Sequence, residues 1–225
     1  MSSGHNLFWY SSFMKTYEYI LLDWDGNLAK TLDIWLDACR TVLHQHGLDL
    51  LDQEITAGFG SFPQYFKNFG ITDIHVVFEQ IDKRVKESLP EVDLYPGALE
   101  VLYELHESGK KLALITTSTH QNVHHLLQKH GMLGLFAAIV TANDTTKHKP
   151  DPEPLELALE LLGGNKESAV MIGDSDKDIL AATNTSVDSI LFFPPEHAKF
   201  YDRSKLTALN PTYTVSDFRQ ILNII

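Results

Sequence analysis

The sequence predicts an α/β fold in which a doubly wound parallel sheet carries an inserted helical segment. Apolar runs of strand length alternate with helical patterns from residue 95 onward, residues 34–94 contain no convincing strand, and acidic residues directly follow two of the apolar runs. Repeated strand–helix–strand units with short connections favour parallel strands covered by helices on both faces. Because ligands bind at the carboxyl ends of the strands in such sheets, we expect the functional site there.

The first predicted strand, residues 17–22, runs directly into Asp23, Trp24, Asp25 and Gly26. Side chains of a strand alternate between its two faces, so Asp23 and Asp25 begin on the same face. Two nearby anions must share a proton or recruit a cation, and the pair therefore predicts a bound Mg²⁺. Trp24 points away from both carboxylates and is predicted to pack in the core.

A second acidic cluster follows the apolar run at residues 168–172 and contains Asp174, Asp176 and Asp178. Since both acidic clusters follow strand ends, they predict one shared metal site. Asp176 is interpreted as a favourable charge at a helix N-terminus and not as a ligand.

The helical insertion at residues 34–94 is predicted to contain two amphipathic helices, near 34–43 and 76–89, with shorter helices between them. An aromatic, glycine-containing break in this stretch carries Phe59, Ser61 and Phe62. We expect these three residues to contact substrate, since loops of this kind carry function. Packing within the insertion is an equally good interpretation on pattern alone.

The segment after residue 94 shows the alternation that a Rossmann-like sheet requires. Helix and strand signals follow one another here, with Pro before and Gly after the first helix as expected at helix ends. The predicted strands in this part of the chain cover residues 111–116, 136–140, 168–172 and 189–193. This arrangement brings Asp23, Asp25, Thr116 and Asp174 to one edge of the sheet.

Composition excludes several classes of function. The 225 residues carry a formal net charge of -12, with 44% hydrophobic and 21% charged residues. An acidic folded chain without a basic patch does not fit nucleic acid or an anionic membrane, so neither is predicted as a partner. The single cysteine, Cys39, is predicted to be buried on a helix, and it fits a reducing cytoplasm.

Residues 1–13 lack the features of a secretory signal, which also favours a cytoplasmic protein. They are interpreted as a frayed extension or a packing arm, and Met14 is an alternative start of translation. Residues 194–212 receive no chemistry from the sequence. Both monomer and homodimer are compatible with it.

Prolines around Lys149, in the segment 147–154, hold this lysine in an extended loop before a helix. A fixed lysine beside carboxylates suits a phosphate site. Four motifs now stand in order, and together they are specific. They are the segment 23–27, Thr116 at a strand end, Lys149 before Pro150, and Gly173-Asp174-Ser175 followed by Asp178.

On these motifs the chain resembles haloacid dehalogenase superfamily hydrolases, of the phosphoglycolate phosphatase and β-phosphoglucomutase type with a helical cap. The match covers nearly everything from residue 15 to 193. The resemblance implies a catalytic core at 1–33 and 95–225 and a cap at 34–94. It implies that Asp23 is the nucleophile forming an aspartyl-phosphate and that Asp25 is the general acid and then base.

The resemblance also implies the metal and phosphate sets. Mg²⁺ is held by the carboxylates of Asp23 and Asp174 and the backbone carbonyl of Asp25, with Asp178 completing the acidic set by orienting a metal-bound water or Lys149.

The resemblance further implies that Thr116 and Lys149 are catalytic and hold the phosphoryl oxygens, with Gly26, Asn27 and Thr117 also at the phosphate. Asn27 stands where the family usually has Thr, and we expect it to hydrogen-bond the turn.

The predicted function is a Mg²⁺-dependent phosphatase that hydrolyses a small phosphorylated metabolite. An acid two residues after the nucleophile favours phosphate esters over haloacids, because an alkoxide must be protonated as it leaves and a halide need not be. A phosphomutase using the same residues is one alternative. A receiver-like phospho-accepting switch or binding module is another, from a different class. His120 and His124 share a helix face, but solvated side chains explain them better than zinc.

Overall fold

The computed structural model describes residues 15–59, 62–71 and 73–225. Its centre is a six-stranded sheet in which every pairing of neighbours is parallel. The strands are β1 (Tyr19–Leu22), β2 (Lys111–Ile115), β3 (Phe136–Val140), β4 (Ala169–Gly173), β5 (Asp188–Phe192) and β6 (Tyr213–Val215). The doubly wound parallel sheet predicted from the sequence is confirmed.

The strand order is β3-β2-β1-β4-β5-β6, so the direction of winding reverses between β1 and β4. These two neighbours pair in register from Tyr19 opposite Ala169 to Leu22 opposite Ile172. A crevice opens beyond the carboxyl ends of two strands that diverge in this way, and ligands of doubly wound sheets bind in it. Asp23 and Asp174 are the first residues after β1 and β4, on either side of that point.

Nine α-helices lie in the described part of the chain. They are α1 (Leu32–Gln45), α2 (Asp52–Thr56), α3 (Phe62–Phe66), α4 (Ile74–Ser88), α5 (Ala98–Glu107), α6 (His120–Lys129), α7 (Glu153–Leu162), α8 (Asp176–Thr185) and α9 (Arg203–Thr207). Short 3₁₀ helices occur at Lys67–Phe69, Leu89–Glu91, Leu133–Leu135, Pro195–Lys199 and Phe218–Asn223. The predicted strands and helices are present, with ends shifted by a few residues.

Both faces of the sheet are buried, because helices pack against each of them. Tyr19 and Leu21 of β1 belong to a hydrophobic cluster on the side of α7, whereas Ile20 and Leu22 belong to the cluster on the side of α5. All four residues are at most 6% exposed. An apolar run without alternation is therefore what a central parallel strand needs, because it packs in both directions.

The four helices α1 to α4 are inserted between β1 and α5, and α1 packs along α4. The chain leaves the sheet and returns to it at one place. There the Lys30 N–H donates to the Asp93 carbonyl and the Tyr95 N–H donates to the Leu28 carbonyl, each at 2.9 Å. This pairing holds the inserted helices beside the carboxyl end of β1.

The segment after β5 packs against the core, and the sequence pattern predicts no element in it. Its 3₁₀ helix at Pro195–Lys199 carries His197, which is fully buried among aromatic rings and bonded through Nε2 to the Tyr95 hydroxyl at 2.8 Å. Burial lowers the pKa of His197 to about 3, so the imidazole is neutral. Strand β6 lacked a sequence signal because only Val215 of its three residues is buried.

Trp24 and Cys39 are both buried in the core, as predicted. The interpretation of residues 1–13 and of Met14 lies outside the described residues. Within the described residues, no helix is both long enough and apolar enough to span a membrane.

Replacement of Leu21 by Ala should destabilise the protein by about 2–5 kcal/mol, because it removes fully buried methyl groups at the centre of the sheet. Leu161→Ala is the matched control, since Leu161 is 58% exposed on α7 and should change stability by less than about 0.5 kcal/mol. Urea unfolding of both variants measures the difference. Equal losses in the two variants would contradict the assignment of β1 to the core.

Candidate active site at the carboxyl ends of β1 and β4

Lys149 is the centre of a buried charged cluster. Its side chain is only 4% exposed, and its ammonium group donates to Asp23 Oδ1 at 2.7 Å, to Asp178 Oδ1 at 2.7 Å and to the Ile115 carbonyl at 3.0 Å. A lysine ammonium has three protons to donate, and each has an acceptor here. The loop before α7, the end of β2 and the start of α8 are thereby fixed around the carboxylate that follows β1.

Asp178 is held on both sides of its carboxylate. Oδ1 accepts from Lys149, while Oδ2 accepts from the Ser175 N–H at 3.1 Å and the Ser175 hydroxyl at 2.6 Å. The Ser175 contacts form a capping box at the N-terminus of α8. Both oxygens of Asp178 are thus used within the protein, and the residue positions Lys149.

Asp174 is buried at 1% exposure, and its Oδ2 has no hydrogen-bond partner among the described residues. Gly26 approaches it closely, because a Cβ placed on Gly26 would lie 2.3 Å from that oxygen. Gly26 also has a φ of +74°, which glycine adopts without strain. Burial and the neighbouring Asp174 carboxylate raise the pKa of the Tyr201 phenol well above its usual value.

The cluster has an excess of negative charge. Carboxylate oxygens of Asp23, Asp174 and Asp178 all lie within 4.8 Å of one another. Burial and the charge of Asp178 raise the pKa of Asp23 to about 7, and burial with the charges of Asp178 and Asp23 raises that of Asp174.

Burial alone would lower the pKa of Lys149, but the carboxylates of Asp178 and Asp23 raise it. Oxygen ligands with one unpartnered buried carboxylate oxygen fit a hard divalent cation such as Mg²⁺.

Asp25 is oriented separately from this cluster. Its Oδ1 accepts from Trp35 Nε1 at 3.2 Å and its Oδ2 accepts from the Ser118 hydroxyl at 2.7 Å. Sequence reasoning missed both donors. Ser118 could have been found, because it lies two residues after Thr116 at the same strand end, whereas nothing local in the sequence connects Trp35 to Asp25.

Asn27 connects the ends of β1 and β4. It is fully buried, and its Nδ2 donates to the Asp23 carbonyl at 3.1 Å and to the Ile172 carbonyl at 3.2 Å. The side chain thus hydrogen-bonds the turn, as expected. Thr116 is also buried, and its hydroxyl accepts from the Ser118 N–H at 3.0 Å.

A cavity of about 1130 Å³ opens onto this group and is also lined by the inserted helices. Most predicted site residues are brought together here or directly behind the cavity wall, but Ser61 lies outside the described residues. The predicted residues that line the cavity are Asp23, Asp25, Phe59, Phe62, Thr117, Lys149 and Asp174.

The histidines of α6 lie against a different surface depression. The rings of His120 and His124 stack with their centroids 5.4 Å apart. Among the described residues, the only group of three or more His, Cys, Asp or Glu side chains close enough to share a metal ion is that of Asp23, Asp174 and Asp178.

Comparison with known proteins agrees with this geometry. The family model described as haloacid dehalogenase-like hydrolase matches residues 20–192. Pyrophosphatase PpaX of Oceanobacillus iheyensis is 26% identical over 92% of this chain and 95% of its own, and PpaX of Bacillus pumilus is 32% identical over 74% and 78%. A haloacid dehalogenase-like hydrolase structure from Bacteroides fragilis superposes with a TM-score of 0.82 at 26% identity, covering 92% of this chain and all of that one.

The parallel sheet, the acidic strand ends and the buried lysine meet at the β1/β4 switch point, and the matched family and relatives are hydrolases. The chain belongs to the haloacid dehalogenase-like hydrolases. The resemblance stated from the four motifs is thereby confirmed.

The raised pKa of Asp23 predicts how stability depends on pH when divalent cations are removed. The unfolded carboxyl has a pKa of about 3.9, so the folded protein binds a proton that the unfolded chain releases. The contribution of this proton to the free energy of unfolding is fully present below about pH 4 and is lost as the pH rises through about 7. In EDTA, the melting temperature of the parent should therefore fall with rising pH relative to that of Asp23→Asn. Parallel profiles of melting temperature against pH for the two proteins would contradict the raised pKa of Asp23.

Proposed function

We propose that this protein is a Mg²⁺-dependent phosphatase that hydrolyses a small phosphorylated metabolite through an aspartyl-phosphate on Asp23. The observation that carries this proposal is the bond from the buried Lys149 to the carboxylate of Asp23. Asp25, two residues further along the chain, lines the same cavity. The named pyrophosphatase activity of the PpaX relatives supports the reaction class.

Asp23 is the proposed nucleophile. Lys149 orients its carboxylate through Oδ1 and offsets negative charge, so that a phosphate dianion can approach a carboxylate. A carboxylate oxygen forms a bond to phosphorus while the bond from phosphorus to the ester oxygen breaks. This divides one difficult displacement into two easier steps.

Asp25 is the proposed general acid and base. It gives a proton to the departing ester oxygen, and it later takes a proton from the water that attacks the phosphorus of phospho-Asp23. The Trp35 and Ser118 donors hold its carboxyl group in the cavity through both steps. The carboxylate of Asp23 is regenerated and inorganic phosphate is released.

The remaining polar groups are proposed to bind the phosphoryl oxygens. Thr116, Thr117 and the backbone N–H groups after β2 supply hydrogen bonds, and Lys149 supplies positive charge. Gly26 and Asn27 act indirectly, because they bring the β1 turn against Asp174 and hold the β1 and β4 ends together.

The carboxylates of Asp23 and Asp174 and the backbone carbonyl of Asp25 are proposed to hold the Mg²⁺. When bound, the ion neutralises charge on the phosphoryl group. We assign Asp178 to the positioning of Lys149, since both of its oxygens are already bonded within the protein.

Residues 34–94 are proposed to be a cap over a core formed by 1–33 and 95–225. The hydrogen bonds at Leu28–Tyr95 and Lys30–Asp93 support this boundary, because the two crossings of the chain lie side by side. A cap of this kind excludes water from the phosphoryl group and contacts the leaving group. We propose a cytoplasmic location, because the single cysteine, Cys39, is free and buried, which fits a reducing compartment.

Substitution of the two carboxylates tests these roles. Asp23→Asn should lose phosphate release from every ester, because it has no nucleophile. Asp25→Asn should slow an alkyl phosphate by about 10²–10⁴-fold and an aryl phosphate less, since a phenolate leaves with less need of a proton. Steady-state phosphate release with Mg²⁺ and with EDTA measures both effects.

Asp49→Asn is the matched control for these variants, because Asp49 is 84% exposed and its carboxylate pairs with His44, away from the cavity. It should keep the parent rate. Parent-like turnover by Asp23→Asn, or a rate in EDTA equal to that in Mg²⁺, would refute the proposed function. Conversion of a sugar phosphate to its isomer without phosphate release would identify a phosphomutase instead.

A further inference from the structure

Four aromatic side chains line one side of the cavity that holds Asp23 and Asp25. This aromatic wall consists of Trp35, Phe59, Phe62 and Phe78, all from the inserted helices and the segment between them. Phe62 is its centre, with its ring centroid 6.4 Å from that of Trp35, 6.2 Å from that of Phe59 and 6.0 Å from that of Phe78. The wall is continuous, and it faces the reacting residues.

The aromatic wall is supported from behind. The ring of Phe66 is fully buried, and its centroid lies 4.7 Å from that of Phe62. Trp35, Phe59 and Phe78 remain half-buried, so part of each ring is open to the cavity. Packed aromatic rings with one free side form a binding surface for another apolar or planar group.

The aromatic wall adjoins the proposed general acid. Trp35 Nε1 donates to Asp25 Oδ1 at 3.2 Å. An acid must lie within hydrogen-bond reach of the oxygen that it protonates, so the leaving oxygen lies beside Asp25. A leaving group bonded to that oxygen would begin close to Trp35 and would have the aromatic wall beside it.

The cap side of the cavity offers no positive charge to a leaving group. Among the described residues between 32 and 91 that line the cavity, the only charged one is Asp82, which pairs with Lys86 at 2.6 Å. The residues of this stretch that the structure does not describe are Gly60, Ser61 and Thr72, which carry no charge. A leaving group with a second phosphate or a carboxylate would find no counter-ion here.

The cations that line the cavity belong to the core side and are mostly engaged. Lys177 pairs with Asp176 at 3.4 Å, Lys199 pairs with Asp33, and the Arg203 guanidinium lies 5.9 Å from the centre of the Phe193 ring. Lys149 is bonded to Asp23 and Asp178, and Lys205 lies exposed on α9. All of these charges lie on residues 149–205, outside the inserted helices that carry the aromatic wall.

From this arrangement we infer that the leaving group is uncharged and carries a planar apolar ring that packs on the aromatic wall. The substrate class is then the phosphate monoester of a ring-bearing alcohol, and neither inorganic pyrophosphate nor phosphoglycolate is preferred. This inference rests on the proposed phosphatase function, and it specifies the substrate of the same site.

Matched substrate pairs test the inference with the full chain and Mg²⁺. Benzyl phosphate and ethyl phosphate both release a simple alkoxide, but only benzyl phosphate carries a ring. Uridine 5′-monophosphate and ribose 5-phosphate share the same sugar, and only the first carries a planar base. The kcat/KM ratio should favour the ring-bearing member by about tenfold or more in at least one pair, because burial of a ring removes a large apolar area from water. The pair that responds distinguishes a small aryl group from a nucleoside.

Variants test whether the aromatic wall causes the preference. Phe62→Ala should lower the ratio of kcat/KM for the ring-bearing substrate to that for the ring-free substrate about tenfold, towards unity. Phe62→Leu replaces it if the alanine variant does not fold. Phe69→Ala is the matched control, because its ring joins the same aromatic cluster behind Phe66 but does not line the cavity. It should leave the ratio unchanged.

Two different failures are distinguishable in this experiment. Preference for pyrophosphate or phosphoglycolate, or equal ratios in the parent and in Phe62→Ala, would overturn the inference while phosphatase activity persists. Absence of Mg²⁺-dependent phosphate release from every ester would instead refute the proposed function on which the inference rests.

Discussion

The hydrogen-bonded bridge of Lys149 between Asp23 and Asp178 is the interaction on which the rest of the site depends. Three carboxylates are buried together here, and one ammonium group supplies the positive charge that makes two of them tolerable. A buried ion pair of this kind contributes little net stability, since desolvation opposes it. Its value is geometric, because it fixes the carboxylate of Asp23 in one orientation beside a residual negative charge that a divalent cation can neutralise.

The topology of the sheet explains why these groups meet. Reversal of the winding direction between β1 and β4 leaves a crevice at their carboxyl ends, and Asp23 and Asp174 are the residues that follow. Asn27 then holds the two strand ends together, while the absence of a side chain at Gly26 lets the β1 turn approach Asp174. The site is therefore built largely from backbone geometry that a parallel sheet provides.

Prediction from the sequence succeeded where the signal was local. The apolar runs before Asp23 and Asp174 indicated buried strands, and the prolines next to Lys149 indicated a fixed loop. The elements that carry these three residues could therefore be predicted from the local sequence. Trp35 and Tyr201 were not predicted, because their contacts with Asp25 and Asp174 arise from the packing of α1 and of the segment after β5. Strand β6 escaped prediction since a mostly exposed edge strand of three residues lacks a hydrophobic pattern.

Identification of the phosphorylated residue shows whether Asp23 is the nucleophile. The protein is mixed with Mg²⁺ and a phosphate ester that it hydrolyses, and the reaction is quenched in acid during turnover. The protein is then digested, and its peptides are mapped by mass spectrometry. The bridge from Lys149 to Asp23 predicts one added phosphoryl group, on the peptide that contains Asp23 and on that side chain. A phosphoryl group on another residue, or an unmodified Asp23 after trapping conditions that detect acyl phosphates in a related hydrolase, would contradict the account.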